Sequence, residues 1–456
     1  MMGGALAAKR GDHGRRRRGA RGVVAARRSA VVLGAAVLAL AASAHAQVRG
    51  TIVGPGSTSY PIAVSPLKSG GDAHDGDRFA DVVARDLDLF GLFKVIDPAA
   101  YIEDAEHSGA TTDSINFDNW KTIGALALVK GTLEHEGDGV VVEARLFDVV
   151  ERKQLAGKRY RIGDGDLRRI AHRFADEIML ALTGARGPFD SRIAFASRRD
   201  GRFKEIWAMS LDGGDLRQVT RERMIALSPS WSPDSRALLF TSYRTGNPSL
   251  FEIDLGGGAP RLISAQRGLN LGGRFSPGGR AIAVALESGG QTDVALLDPS
   301  GQLIRWVTRD RALDVSPSWS PDGRSLVFCS DRGGGPQIYV VSADGGEPRR
   351  VSYQGNYNTS PAWSPTGDRI AYASRLGRRF QVFVVDAKGD DAKQITNTAG
   401  DNEDPSWSPD GRYLAFSSTR DGSGAIYVSD VSGTHQKRLT PQGGDDSNPS
   451  WSRWLE

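Results

Sequence analysis

Five short oxygen-bearing side chains, Asn270, Asp314, Asn358, Asn402 and Asp446, lie 44 residues apart at every step. Beside the last two the chain adds Asp401, Glu403, Asp404 and Asp445. Oxygens in that number could hold Ca²⁺, and paired carboxylates in a cleft could divide the acid and base work of a hydrolase or lyase. Neither chemistry has a motif behind it, because no stretch matches a calcium loop. There is also no Gly-x-Ser-x-Gly elbow, Walker-type phosphate loop or His-x-x-x-His pair. Cys329 is the single cysteine, which excludes an internal disulfide and a cysteine zinc ladder. It sits in a strand-like run, Leu326 to Ser330, and reads as a packing residue. The residues assign no catalytic group, no metal and no cofactor. Two readings of the Asn/Asp series remain, and both can hold together. The side chains cap turns through bonds to nearby backbone, or they form a polar rim where a partner docks.

What must position them is a repeat. Aromatic residues stand at 231, 275, 319, 363, 407 and 451, again 44 apart, most of them inside Pro-x-Trp-Ser-Pro-Asp-Gly. Each Asn or Asp lies three residues before the Pro position of that phrase, and only the first copy breaks the rule, with Ala226. Three further phrases keep the same phase, exemplified by Leu326-Val327-Phe328, Ile338-Tyr339 and Val351-Ser352. Four short strands per repeat of this length make a propeller blade. Residues 191–228 carry strands two to four of a blade, and Pro449 to Ser452 supply an orphan first strand. Together they complete a sixth blade and leave the ring without a free edge. The Trp is expected to fill the space between blades and Pro-Asp-Gly to make the turn. The conspicuous phrase is therefore scaffold.

Upstream of the repeat the pattern changes. Residues 60–185 alternate strand-like runs with helical stripes such as Phe79, Val82, Val83, Leu87 and Ile170, Phe174, Ile178. They read as a small α/β domain with helices on one face of a sheet, leaving 186–456 as the all-β six-bladed propeller. Residues 47–59 read as a flexible arm. Residues 1–46 have the three parts of an export signal: a basic start, an apolar run from Ala30 to Ala42, and Ala44-His45-Ala46 before a cleavage site between Ala46 and Gln47. The formal charge of +4 would suggest a nucleic-acid partner. However, nine Lys/Arg against one acid fall within residues 1–46, a surplus that exceeds the charge of the whole chain. The remainder is acidic, so no nucleic acid is expected.

An export signal, a small α/β domain and six such blades, in this order, resemble the TolB family, the periplasmic component of the Tol-Pal system. Tyr60-Pro61-Ile62-Ala63-Val64, Gly91-Leu92-Phe93, Ala127 to Gly131 and Leu182-Thr183-Gly184 carry the resemblance beyond the repeat. It implies a non-enzymatic monomeric adaptor in the periplasm, reaching membranes only through its partners. The family's propeller binds the lipoprotein Pal at the channel mouth, and its arm binds TolA. The system maintains the outer membrane, notably during division, and other outer-membrane proteins are further candidate partners. Carried over by position, the arm is Gln47, Val48, Arg49, Ile52 and Val53. The Pal rim is Asn270, Asp314, Asn358, Asn402 and Asp446. Leu269, Leu271 and Gly272 around Asn270 differ from the family's usual residues. The alternative is a propeller hydrolase or lyase using channel carboxylates.

Overall fold

A computed structural model describes residues 59–70, 73–103, 108–137, 139–163 and 167–455. The export signal, the Ala46/Gln47 cleavage site and the arm residues Gln47, Val48, Arg49, Ile52 and Val53 lie outside them.

The N-terminal sheet is mixed. Strands β1 (Tyr60–Val64), β2 (Lys68–Ser69), β3 (Phe93–Val95), β4 (Ala127–Glu136), β5 (Gly139–Asp148) and β6 (Lys153–Gly163) follow the order β3-β1-β4-β5-β6, with β2 beside β4. β1 runs parallel to β3 and β4, while β4, β5 and β6 form an antiparallel meander. Helices α1 (Ala73–Asp88) and α3 (Leu167–Thr183) bury their apolar stripes on one face, and the Phe79 and Phe174 rings meet at 6.1 Å. Gly184, at φ 77°, ends α3 in the left-handed conformation that glycine adopts without a Cβ penalty.

The expectation of helices on one face is corrected here. The short helix α2 (Phe117–Thr122), capped by the Asn116 side chain, packs Phe117 and Trp120 on the opposite face. Strand alternation explains this. Ile62 and Val64 point toward α1 and α3, whereas Ala63, Leu128 and Phe147 point the other way and need their own cover.

The remainder is six four-stranded antiparallel sheets in a ring. Their first, innermost strands are Ala226–Trp231, Asn270–Phe275, Asp314–Trp319, Asn358–Trp363, Asn402–Trp407 and Ser447–Trp451. The last pairs with Arg192–Ser197, so the ring closes by joining the orphan strand to the first blade fragment. Arg192 N donates to Ser452 Oγ and Ser452 N to Arg192 O, each at 2.9 Å.

The repeated phrases have distinct mechanical tasks. The indoles of Trp231, Trp319 and Trp407 donate to the main-chain oxygens of Ser450, Arg274 and Ala362 in the preceding blade, at 2.9–3.0 Å. Trp363 departs from this and donates to Gly367 of its own turn. The hydroxyls of Thr220, Thr308, Ser352, Thr396 and Thr440 accept from third-strand amides at 2.8–3.0 Å, tying the outermost strand inward. In the Pro-Asp-Gly turns Asp322 and Asp410 each accept from a Ser hydroxyl and an Arg amide, with Gly323 and Gly411 at φ 70° and 69°.

Strand direction alternates within a blade, so the ring has two ends. The Pro-Asp-Gly turns lie at the end facing the α/β domain. There Phe90 stacks on Tyr413 at 3.6 Å, Lys437 pairs with Asp88 at 2.5 Å, and Trp454 donates to Gly187 O at 2.8 Å. One apolar core runs through this seam, from Phe79 and Phe174 to Met209, Ile426 and Trp451. The opposite end carries the connections between blades, and no contact with the α/β domain occurs there among the described residues.

Candidate functional site

The open end begins where the innermost strands begin, at the Asn/Asp series. Asn270, Asp314, Asn358, Asn402 and Asp446 are all 0% exposed. Asn270 Nδ2 donates to the carbonyls of Pro248, Gln266 and Gly268 while its Oδ1 accepts from Ser264 and the Gln266 amide. Asn358 and Asn402 donate to Gln337 and Gln381, which also receive the Ser352 and Thr396 hydroxyls. These side chains tie the first strand of a blade to the connection before it and to the blade the chain has just left, as turn capping requires, and present no surface to a partner.

Arginines complete the arrangement. Arg332 Nη2 meets both oxygens of Asp314 at 3.0 and 2.8 Å, and Arg199 Nη2 meets both of Asp446 at 2.8 Å. Arg420 Nη2 donates to Asn402 Oδ1 at 2.8 Å. Each guanidinium lies over two aromatic rings, Phe328 and Tyr339, Phe195 and Trp207, or Phe416 and Tyr427, a cation–π contact. Where the series fails at Ala226, Glu222 takes over and holds Arg244 and the Ser242 hydroxyl. The signal for these arginines was a Ser-x-Arg phrase at Ser197, Ser242, Ser330 and Ser418, which the reading of the repeat passed over.

The accessible surface lies beside the buried series. The preceding residues are Ile225, Leu269, Leu313, Tyr357, Asp401 and Asp445. Four neighbouring blades thus contribute apolar groups and two contribute acids. Met224, Ile225, Leu313, Tyr353 and Leu376 are exposed on this same end, Leu313 by 46% and Tyr353 by 64%. Sequence reading missed them because it looked for polar groups. On the acidic side, burial pushes Glu403 up to about 7, helped by Asp404 and Asp401. Asp445 pairs with Arg198 and Lys204. Among the described residues no group of three or more His, Cys, Asp or Glu is placed to share a metal. Cys329 is buried, and its thiol donates to Asn358 O at 3.3 Å.

Inside the ring runs a channel with a cavity of about 670 Å³. Each innermost strand carries a bulge just before its Pro position. Ser228, Gly272, Ser316, Ser360, Asp404 and Asn448 occupy it, all with φ between 50° and 66°. The bulge brings these residues into the cavity lining together with those two positions further on, Arg274 among them. Asp404 accepts from Ser360 at 2.9 Å and Asn448 at 2.8 Å, linking three consecutive blades.

Comparison with known proteins follows the same division. Residues 180–455 match the family model of the TolB beta propeller domain and residues 49–155 that of the TolB amino-terminal domain. The chain is 39% identical over 213 residues to the Tol-Pal system protein TolB of Syntrophotalea carbinolica, covering 46% of this chain and 49% of that one. It is 40% identical over 227 residues to the Tol-Pal system protein TolB of Anaeromyxobacter dehalogenans, covering 49% and 52%. The chain spans about half the length of the curated relatives it matches. The crystal structure of TolB from Acinetobacter baumannii superposes with a TM-score of 0.77 at 26% identity, covering 87% of this chain and 97% of that one. Among the described residues no helix is long and apolar enough to cross a membrane.

Proposed function

Because the chain belongs to the TolB family, we propose that it is a non-enzymatic adaptor of the Tol-Pal system in the periplasm. It docks Pal on the open end of its propeller and TolA through Gln47, Val48, Arg49, Ile52 and Val53, and so supports outer-membrane integrity and constriction at division. The observation carrying this reading is the exposed apolar group at one uncovered end of a rigid ring, since such patches mark interaction sites. Asn270, Asp314, Asn358, Asn402 and Asp446 serve docking by fixing the loops, while Leu313, Tyr353 and their neighbours touch the partner. The acids of the last two blades give the face a polarity that selects orientation.

The test is titration calorimetry with purified Pal. Leu313→Asp combined with Tyr353→Asp weakens binding by roughly tenfold or more, the loss of about 1.4 kcal/mol or above that a central contact carries. Unchanged affinity in a variant that melts like the parent would overturn the assignment of this face.

A further inference from the structure

The channel holds a charge that the scaffold does not explain. One residue after the Pro position, five blades carry Ser230, Ser318, Ala362, Ser406 and Ser450, and the second blade carries Arg274. Arg274 is half-buried within the ring and lines the cavity. Of its five N–H donors, those on Nη1 alone meet acceptors among the described residues, the carbonyls of Pro229 at 3.3 Å and Gly273 at 3.4 Å. Among the described residues no carboxylate comes within 4.0 Å of it. A desolvated cation without a directly paired carboxylate is costly; the charge that acts on it is Asp404, at longer range, and the space between can admit a ligand.

Asp404 stands in the fifth blade, three blades from Arg274 and so across the channel. Its carboxylate is oriented by Ser360 and Asn448 and lines the same cavity. Arg274 alone would accept any small anion, in the forked geometry that guanidinium offers a carboxylate. The acid opposite disfavours a second negative charge and favours a cation. The cavity's size lies within the few hundred to 1,000 Å³ or so of small-molecule sites.

We propose that the channel binds a small zwitterion, an amino acid or short peptide, with its carboxylate on Arg274 and its ammonium toward Asp404. The site is independent of the partner face, because it lies within the ring.

The experiment is calorimetry of the full chain with alanylalanine, N-acetyl-alanylalanine and alanylalanine amide. Alanylalanine binds, and blocking either terminus weakens it by roughly tenfold or more. Arg274→Ser installs what four other blades carry and removes the heat of binding, as does Arg274→Gln. Asp404→Asn keeps the bonding shape, weakens alanylalanine toward the level of its acetylated form, and so abolishes the preference for the free over the acetylated dipeptide. Variants are compared after melting curves show a folded ring, and either Arg274 substitution suffices. Absence of heat with alanylalanine, or binding that survives loss of Arg274, would overturn the proposal.

Discussion

His172 Nε2 of α3 faces Asp212 of the propeller at 3.7 Å, while its Nδ1 meets Asp86 of α1 at 2.7 Å. A buried imidazole between two carboxylates therefore spans the seam of α/β domain and ring. Arg168 also pairs with Asp212, and Arg85 comes within 4.0 Å of it. Burial alone would lower the His172 pKa, but attraction and hydrogen bonding to Asp86, then Asp212, outweigh it and the net shift is upward. Asp86 is also raised, chiefly by burial. Both groups keep protons to higher pH in the folded state, so stability falls as pH rises. For His172 the contribution is complete below its ordinary 6.5 and disappears as pH climbs through the raised value. Each unit of elevation is worth about 1.4 kcal/mol. Urea unfolding followed from pH 6.5 upward shows a decline that His172→Gln flattens. Asp176 and Glu403, both raised to about 7, act mainly at lower pH.

The buried clamp of Asp314 and Arg332 has neutral counterparts in the same ring, since Arg420 is held by Asn402. Arg332→Ala leaves a buried carboxylate without its cation and costs about 3–5 kcal/mol. Asp314→Asn reproduces what neighbouring blades carry and costs about 1–2 kcal/mol. Denaturant midpoints rank the two, and equal losses would contradict the equivalence of the blades.

Trp407 is buried and its indole donates to Ala362 O of the preceding blade at 3.0 Å. Trp407→Phe keeps an aromatic ring but is smaller and breaks the stitch, at about 1 kcal/mol or somewhat more. Trp407→Ala also opens a cavity between blades and costs about 3–5 kcal/mol. A thermal melt separates the two.

Deleting residues 47–53 is expected to abolish TolA binding and leave Pal binding intact, measured by parallel pull-downs. Loss of both, with the melting curve unchanged, would place part of the Pal site on the arm.

The blades, their order and the closure of the ring were legible because a strict 44-residue interval records how often the chain must return to the axis. The Asn/Asp series was legible by the same interval, but its burial was not. Arg332 lies 18 residues beyond Asp314, in a loop that reads as solvated, and Arg199 lies 247 residues before Asp446, adjacent only after closure. The left-handed bulges were hidden as well. Asp, Asn and Gly enter that conformation readily, but Ser228, Ser316 and Ser360 do so under the constraint of the ring. Helix α2, at six residues, is too short for its stripe to reveal which face it covers.

The strand that shuts the ring also lies where the α/β domain is attached. Trp451 donates to Ser191 Oγ, Leu455 N to Asp190 O, and Phe189 N to Asp176 of α3, all within 2.8–2.9 Å. Tension applied to the N-terminal domain would thus enter the ring at its clasp. It would load the pairing of Ser447–Trp451 with Arg192–Ser197 together with the fifth blade, which Phe90 and Asp88 reach through Tyr413 and Lys437. The blade that closes the ring therefore lies on the path by which a pull on the N-terminal domain is carried into the propeller.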